Sequence, residues 1–125
     1  MRLLARIAQA KNMDMTCIDI TLEDLLGCSL GISKAKAVLL SAMMEEKDWT
    51  TVASVASRLK KDRSVVQREL SSLHKKGLVS REQRNKSSGG YEYVYRAEDR
   101  KALKSAISEK SRAFVAMVNK KISNW

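Results

Sequence analysis

A mainly α fold with one small β-hairpin is what this sequence predicts, and three observations carry the expectation. Two amphipathic helical stretches are separated only by Lys61-Asp62-Arg63. The second is followed at once by two runs of strand-forming residues joined by the polar turn Asn85-Lys86-Ser87-Ser88-Gly89-Gly90. Both ends of the chain carry apolar residues at helical spacing. Two helices joined by so short a turn form a helix-turn-helix, and a hairpin directly after it is a wing. The expected architecture is therefore a winged helix-turn-helix with N- and C-terminal dimerisation helices. Its divisions are an arm helix over 1–19, a winged DNA-binding domain over 20–96 and a C-terminal dimerisation helix over 97–125.

Taken in order, Met1 to Lys11 places Leu3, Leu4, Ile7 and Ala8 at helical spacing, a short amphipathic helix that needs a partner surface. Thr21 with Asp24 opens a second short helix, Leu22 to Cys28, with Gly27 and Gly31 near its end. Ser33 caps a third, from Lys34 to Lys47, whose apolar set of Ala35, Val38, Leu39, Ala42 and Met43 predicts the most buried helix. Met43 and Met44 read as core packing. Thr50 or Thr51 caps the first helix of the helix-turn-helix, with Val52, Val55, Ala56 and Leu59 inward.

The second helix of that pair carries the chemistry. At 100° per residue Val66, Leu70 and Leu73 share one face, and Ser64, Arg68, Ser71 and Lys75 share the opposite one. Ser64 followed by Gln67 predicts a capping box at its start. Gly77 ends it. The outward side chains suit the major groove: arginine forks onto guanine, glutamine onto adenine, and serine permits close approach. The following strands are expected over Leu78–Arg84 and Tyr91–Arg96. From Glu98 to Ile122 a long helix carries Leu103, Ile107, Phe114, Met117 and Val118 in steps of three and four, the spacing of a helix–helix seam.

Charge is distributed unevenly. The net charge is +10, with residues 13–48 summing to −4, residues 58–86 to +7 and residues 97–125 to +4. A basic block beside an acidic one predicts a single phosphate-facing surface. No apolar run approaches the roughly 20 residues of a membrane-spanning helix, so no membrane partner is expected. Cys17 and Cys28 are too few and too far apart for a zinc site, and they read as reduced, partly buried thiols of a cytoplasmic protein. His74 is the only histidine and reads as a flank residue of its helix. No cofactor, metal or catalytic nucleophile with a nearby base is indicated, which argues against an enzyme, and nothing points to a small-molecule effector.

Two segments resemble the winged-helix domain of the TrmB-like transcriptional regulators, with the MarR-type regulators as broader relatives. They are Leu30-Gly31-Ile32-Ser33-Lys34-Ala35-Lys36-Ala37, and Arg63-Ser64-Val65-Val66-Gln67-Arg68-Glu69-Leu70 followed by Lys75-Lys76-Gly77-Leu78-Val79. The likeness covers roughly residues 20–96. It implies an archaeal or bacterial regulator that docks on DNA as a dimer, with Ser64, Gln67 and Arg68 in base or phosphate contact. The sequence departs from the broader group where its wing reads Ser80-Arg81-Glu82-Gln83-Arg84 in place of an aspartate–arginine pair, and the chain ends too soon for a sugar-sensing domain.

The resulting expectation is a homodimer on double-stranded DNA. Lys60, Lys61, Arg63, Lys75, Arg84 and Lys86 would neutralise phosphates, while Arg68, Gln67 and Ser71 would read bases. The competing readings are a winged helix used for protein contacts in a transcription or chromatin assembly, a non-specific architectural DNA-binding protein, and an RNA-binding winged helix.

Overall fold

The computed structural model describes residues 20–125. The arm helix expected over 1–19, with Leu3, Leu4, Ile7 and Cys17, lies outside the described residues. Among those described, five helices and three strands follow in the order α1 (Leu22–Leu30), α2 (Lys34–Glu45), β1 (Thr50–Thr51), α3 (Val52–Leu59), α4 (Arg63–Lys75), β2 (Val79–Asn85), β3 (Tyr91–Ala97) and α5 (Arg100–Ser123). This is the winged helix-turn-helix that the sequence predicts.

Local chemistry sets most of the boundaries. Thr21 caps α1 reciprocally: its hydroxyl accepts from the Asp24 N–H at 3.1 Å, and the Asp24 carboxylate accepts from the Thr21 N–H at 3.4 Å. The Thr21 side chain beside the Asp24 carboxyl, and then the Thr21 N–H that donates to it, hold that carboxyl below its ordinary pKa. Gly31, at φ 65°, ends the helix in the left-handed region that glycine tolerates. The Ser33 hydroxyl caps α2 and the Thr51 hydroxyl caps α3. At the far end of α4, Gly77 (φ 77°) donates to the His74 carbonyl, and Leu78 donates to the Leu73 carbonyl at 3.0 Å. That pair of bonds is a Schellman motif, and it turns the chain into the wing.

One core holds these elements together. Leu39, Leu40 and Met43 of α2, Val66, Leu70 and Leu73 of α4, and Tyr95 of β3 are fully buried. Val55, Ala56 and Val79 complete the centre, with Leu26 and Ile32 at its edge. Truncating any of these leucines to alanine would cost about 2–5 kcal/mol. Beneath the core lies a three-stranded antiparallel sheet in the order β1-β3-β2. Its register sets Thr50 opposite Tyr95 and Arg81 opposite Tyr95 on the other side, so β3 is clamped along both edges.

Three expectations are corrected. The buried face of α2 is Ala37, Leu39, Leu40 and Met43, whereas Ala35 and Val38 are exposed. Apolar residues surround this helix, so neighbours and not periodicity choose the covered side. Cys28 is exposed, because α1 turns only Leu26 fully inward. The predicted Ser64–Gln67 capping box does not form. The helix begins at Arg63, where the Asp62 carbonyl accepts from Val66 at 3.1 Å, and no side chain caps it.

Candidate nucleic-acid interface

The turn between α3 and α4 lacks glycine, and Lys60 takes the left-handed conformation instead, at φ 55°. Its N–H reaches the Ser57 carbonyl, and the Lys61 N–H reaches the Ala56 carbonyl at 3.0 Å. These bonds fix the angle between the helices although the residue type does not favour it. Lys60 itself is exposed.

With Val66, Leu70 and Leu73 turned fully inward, α4 sets Arg63, Ser64, Arg68 and Lys75 in solvent. Ser71 is half-buried. Two expected contact residues are already engaged. The Lys61 ammonium lies 3.1 Å from both carboxylate oxygens of Glu69, in a pair whose side chains are only 30% and 12% exposed. Lys61 therefore ties the turn to α4 and is not a free phosphate anchor. The Gln67 amide donates to the Tyr95 hydroxyl at 3.2 Å, so its side chain is anchored to the wing strand. His74 donates from Nδ1 to the Val79 carbonyl at 3.2 Å, a structural contact on the flank of the helix.

The wing presents two different faces. Residues 81–90 are all exposed, and the turn closes with Lys86 donating to Gly90 and Gly89 donating back to Lys86. Strand alternation sets Val79, Arg81 and Gln83 on one face with Tyr91, Tyr93 and Tyr95. The bond from Gln67 to Tyr95 identifies this as the side toward α4. Here the Arg81 guanidinium stacks 4.3 Å from the Tyr93 ring centroid, and Tyr91 meets Tyr93 edge-on at 5.7 Å. An open cleft runs between this side and the start of α4, lined by Arg63, Ser64, Gln67, Tyr91 and Tyr93.

On the opposite face Arg84 and Arg96 share the Trp49 ring, at 5.8 and 4.7 Å from its centroid. Arg84 also lies 3.9 Å from Glu82. Arg84, expected as a phosphate anchor, thus leans toward the rear of the wing, while Lys86 is exposed at the tip. Sequence reasoning passed over Arg81. Its parity with Val79, the inward residue that opens the strand, was the signal that could have found it.

The expected dimer residues divide. Leu103 and Ile107 pack against the core of their own chain. Phe114 is 61% exposed, and Met117 and Val118 also face solvent. The root of α5 is bolted down: Arg100 donates to the Met44 carbonyl at 2.7 Å, and the Ser80 hydroxyl donates to Glu98 at 2.6 Å. Among the described residues no group of histidine, cysteine and carboxylate side chains is arranged to hold a metal ion. Nor is any single described helix long and apolar enough to cross a membrane.

A helix-turn-helix whose second helix is stripped of acids on its outer face, beside a basic hairpin, has the build of a winged-helix regulator. The family model described as sugar-specific transcriptional regulator TrmB matches residues 26–101, and the chain belongs to that family of transcriptional regulators. Uncharacterized protein MJ1503 of Methanocaldococcus jannaschii is 35% identical over 97 residues, covering 74% of this chain and 73% of that protein. Among solved structures, a possible transcriptional regulator from Methanosarcina mazei Go1 superposes with a TM-score of 0.73 at 26% identity, over 90% of this chain and 94% of that one. The ST1889 protein of Sulfolobus tokodaii shares the fold, with a TM-score of 0.63 at 18% identity over 77% of this chain and 93% of that one.

Proposed function

We propose that this chain is a sequence-specific regulator of transcription that binds double-stranded DNA as a homodimer. The observation that carries the reading is the outer face of α4. Arg63, Ser64, Arg68 and Lys75 stand in solvent opposite three fully buried residues, next to a wing with Arg81 and Lys86 exposed. A helix about 10–12 Å across fits the major groove of B-form DNA, and cations flanking it neutralise the phosphates on either rim. In this arrangement Arg68, near the middle of α4, reads bases. Lys60, Arg63, Lys75 and Lys86 hold the register through phosphates.

Dimerisation rests on α5. Its 24 residues span about 36 Å, and beyond Ile107 it carries Phe114, Met117, Val118 and Ile122 uncovered at helix-face spacing. A second copy of the same helix is the economical cover for that stripe. Two recognition helices joined through it would address half-sites about one helical turn apart, roughly 10 bp.

Fluorescence anisotropy on the DNA upstream of the protein's own gene, against a scrambled duplex at two salt concentrations, tests the first part. Preference for the upstream duplex supports a site-specific, self-regulating factor, and Arg68→Ala should then cost about 1–3 kcal/mol on that duplex and flatten the preference. Equal binding to both would leave an architectural protein or a regulator of other promoters. No binding to either removes the reading. Sedimentation across micromolar concentrations tests the second part, and a monomer throughout sinks the two-half-site geometry.

A further inference from the structure

The hydrogen bond between Gln67 and Tyr95 joins residues 28 positions apart, one on the groove-facing helix and one on the central strand of the wing. We infer that Tyr95 is a positioning residue for base readout, holding the Gln67 amide in one orientation so that the wing strand takes part in sequence choice. The inference rests on the proposed function and adds to it a residue that would not touch DNA.

Tyr95 is suited to the role by its immobility. It is the largest fully buried side chain of the described residues, and its backbone is paired on both sides, to Thr50 of β1 and Arg81 of β2. The phenol oxygen is therefore a fixed point reached by a half-buried glutamine. An untethered glutamine keeps several rotamers open and must freeze them on contact with a base. Tethered, it meets the base already ordered. The donor count also allows it. A glutamine amide has two N–H donors and a carbonyl acceptor. Tyr95 takes one N–H, leaving one donor and the acceptor, the pair that adenine's N7 and N6 amino group require. Gln67 lies in the same cleft as Arg63 and Ser64, on the side of the wing that carries Arg81. The tether thus sits where a duplex would enter.

The test is selection from a duplex library with a randomised centre, using the full chain, Tyr95→Phe, Gln67→Ala and the double variant. Tyr95→Phe keeps the buried ring, and thermal melting checks that the fold persists. The expected result is a wild-type motif in which one base-pair preference falls about tenfold in Tyr95→Phe, with the other positions and the salt slope unchanged. Gln67→Ala should lose preference at that same position, and the double variant should match Gln67→Ala alone. The inference is overturned if Tyr95→Phe keeps the full motif, weakens all duplexes equally, or alters a different position from Gln67→Ala. Failure of the proposed function is distinct from these, since it shows in the wild type: no binding, or binding with no motif.

Discussion

Replacing Glu69 by glutamine should make the protein less stable and yet bind duplex DNA with a steeper salt dependence. Glu69 holds the Lys61 ammonium at 3.1 Å through both carboxylate oxygens, and neither side chain is more than 30% exposed. At an effective dielectric constant of about 20, two unit charges at that distance attract by about 5 kcal/mol before desolvation. Most of that is offset by the water both groups give up and by the freedom lost in the lysine chain. A charge-assisted hydrogen bond in so sheltered a place leaves a net contribution of about 1.5 kcal/mol. Loss of that amount lowers the melting temperature by roughly 6–12 °C in a domain of this size. The lysine is meanwhile released beside the turn that leads into α4, and each phosphate contact it gained would add about 0.9 to the salt slope. Calorimetry and anisotropy over a salt series, run on one preparation, read both effects. An unchanged melting temperature would show the pair to be idle. A melting drop with an unchanged slope would show that Lys61 cannot reach DNA even when freed.

Three further outcomes follow from single residues. Lys60→Gly removes the cost of a left-handed L-residue and should raise stability by about 0.5–1 kcal/mol, while weakening binding to every duplex; a destabilised variant would refute the account of the turn. Lys86→Ala, at the wing tip, should leave sequence preference intact and make the salt slope shallower by about 0.9, and an unchanged slope would remove the tip from the interface. Asp24→Asn should destabilise α1 at neutral pH. Because the folded-state pKa is depressed, that stabilisation is present above the ordinary value near 3.8 and is lost as pH falls through the lowered value. Melting curves of the two proteins should converge under acid, and a gap that persisted at low pH would show that Asp24 acts by some other means.

What was legible in the sequence is what depends on neighbours within a few residues. Ser33, Thr51 and Gly77 mark helix ends by their own chemistry, and the three-residue turn announces the helix-turn-helix. The inward face of α4 is equally plain, because Val66, Leu70 and Leu73 stand against a remainder that is polar except for Val65. On α2, with apolar side chains all round, the same reasoning chose Ala35 and Val38, which are exposed. Side-chain partners were the least legible. Lys61 with Glu69, Gln67 with Tyr95, and Trp49 with Arg84 and Arg96 are brought together only when the sheet closes on the helices. Each alters the proposed site, since it decides which of several similar polar residues remains at liberty.

The long helix has a mechanical consequence. Leu103 and Ile107 seat its first turns on the core, and Arg100 and Glu98 fasten its root to Met44 and Ser80. Past that seat the 16 remaining residues of the helix form a lever about 24 Å long. A tilt of about 10° at that seat would swing its far end by about 4 Å, a little more than one base-pair step of B-form DNA. In the proposed dimer joined by these helices, the separation of the two heads would be set by this root, where Leu103, Ile107, Arg100 and Glu98 hold it, far from the shared seam. In that proposed dimer, half-site spacing would depend on the contacts that hold the foot of α5.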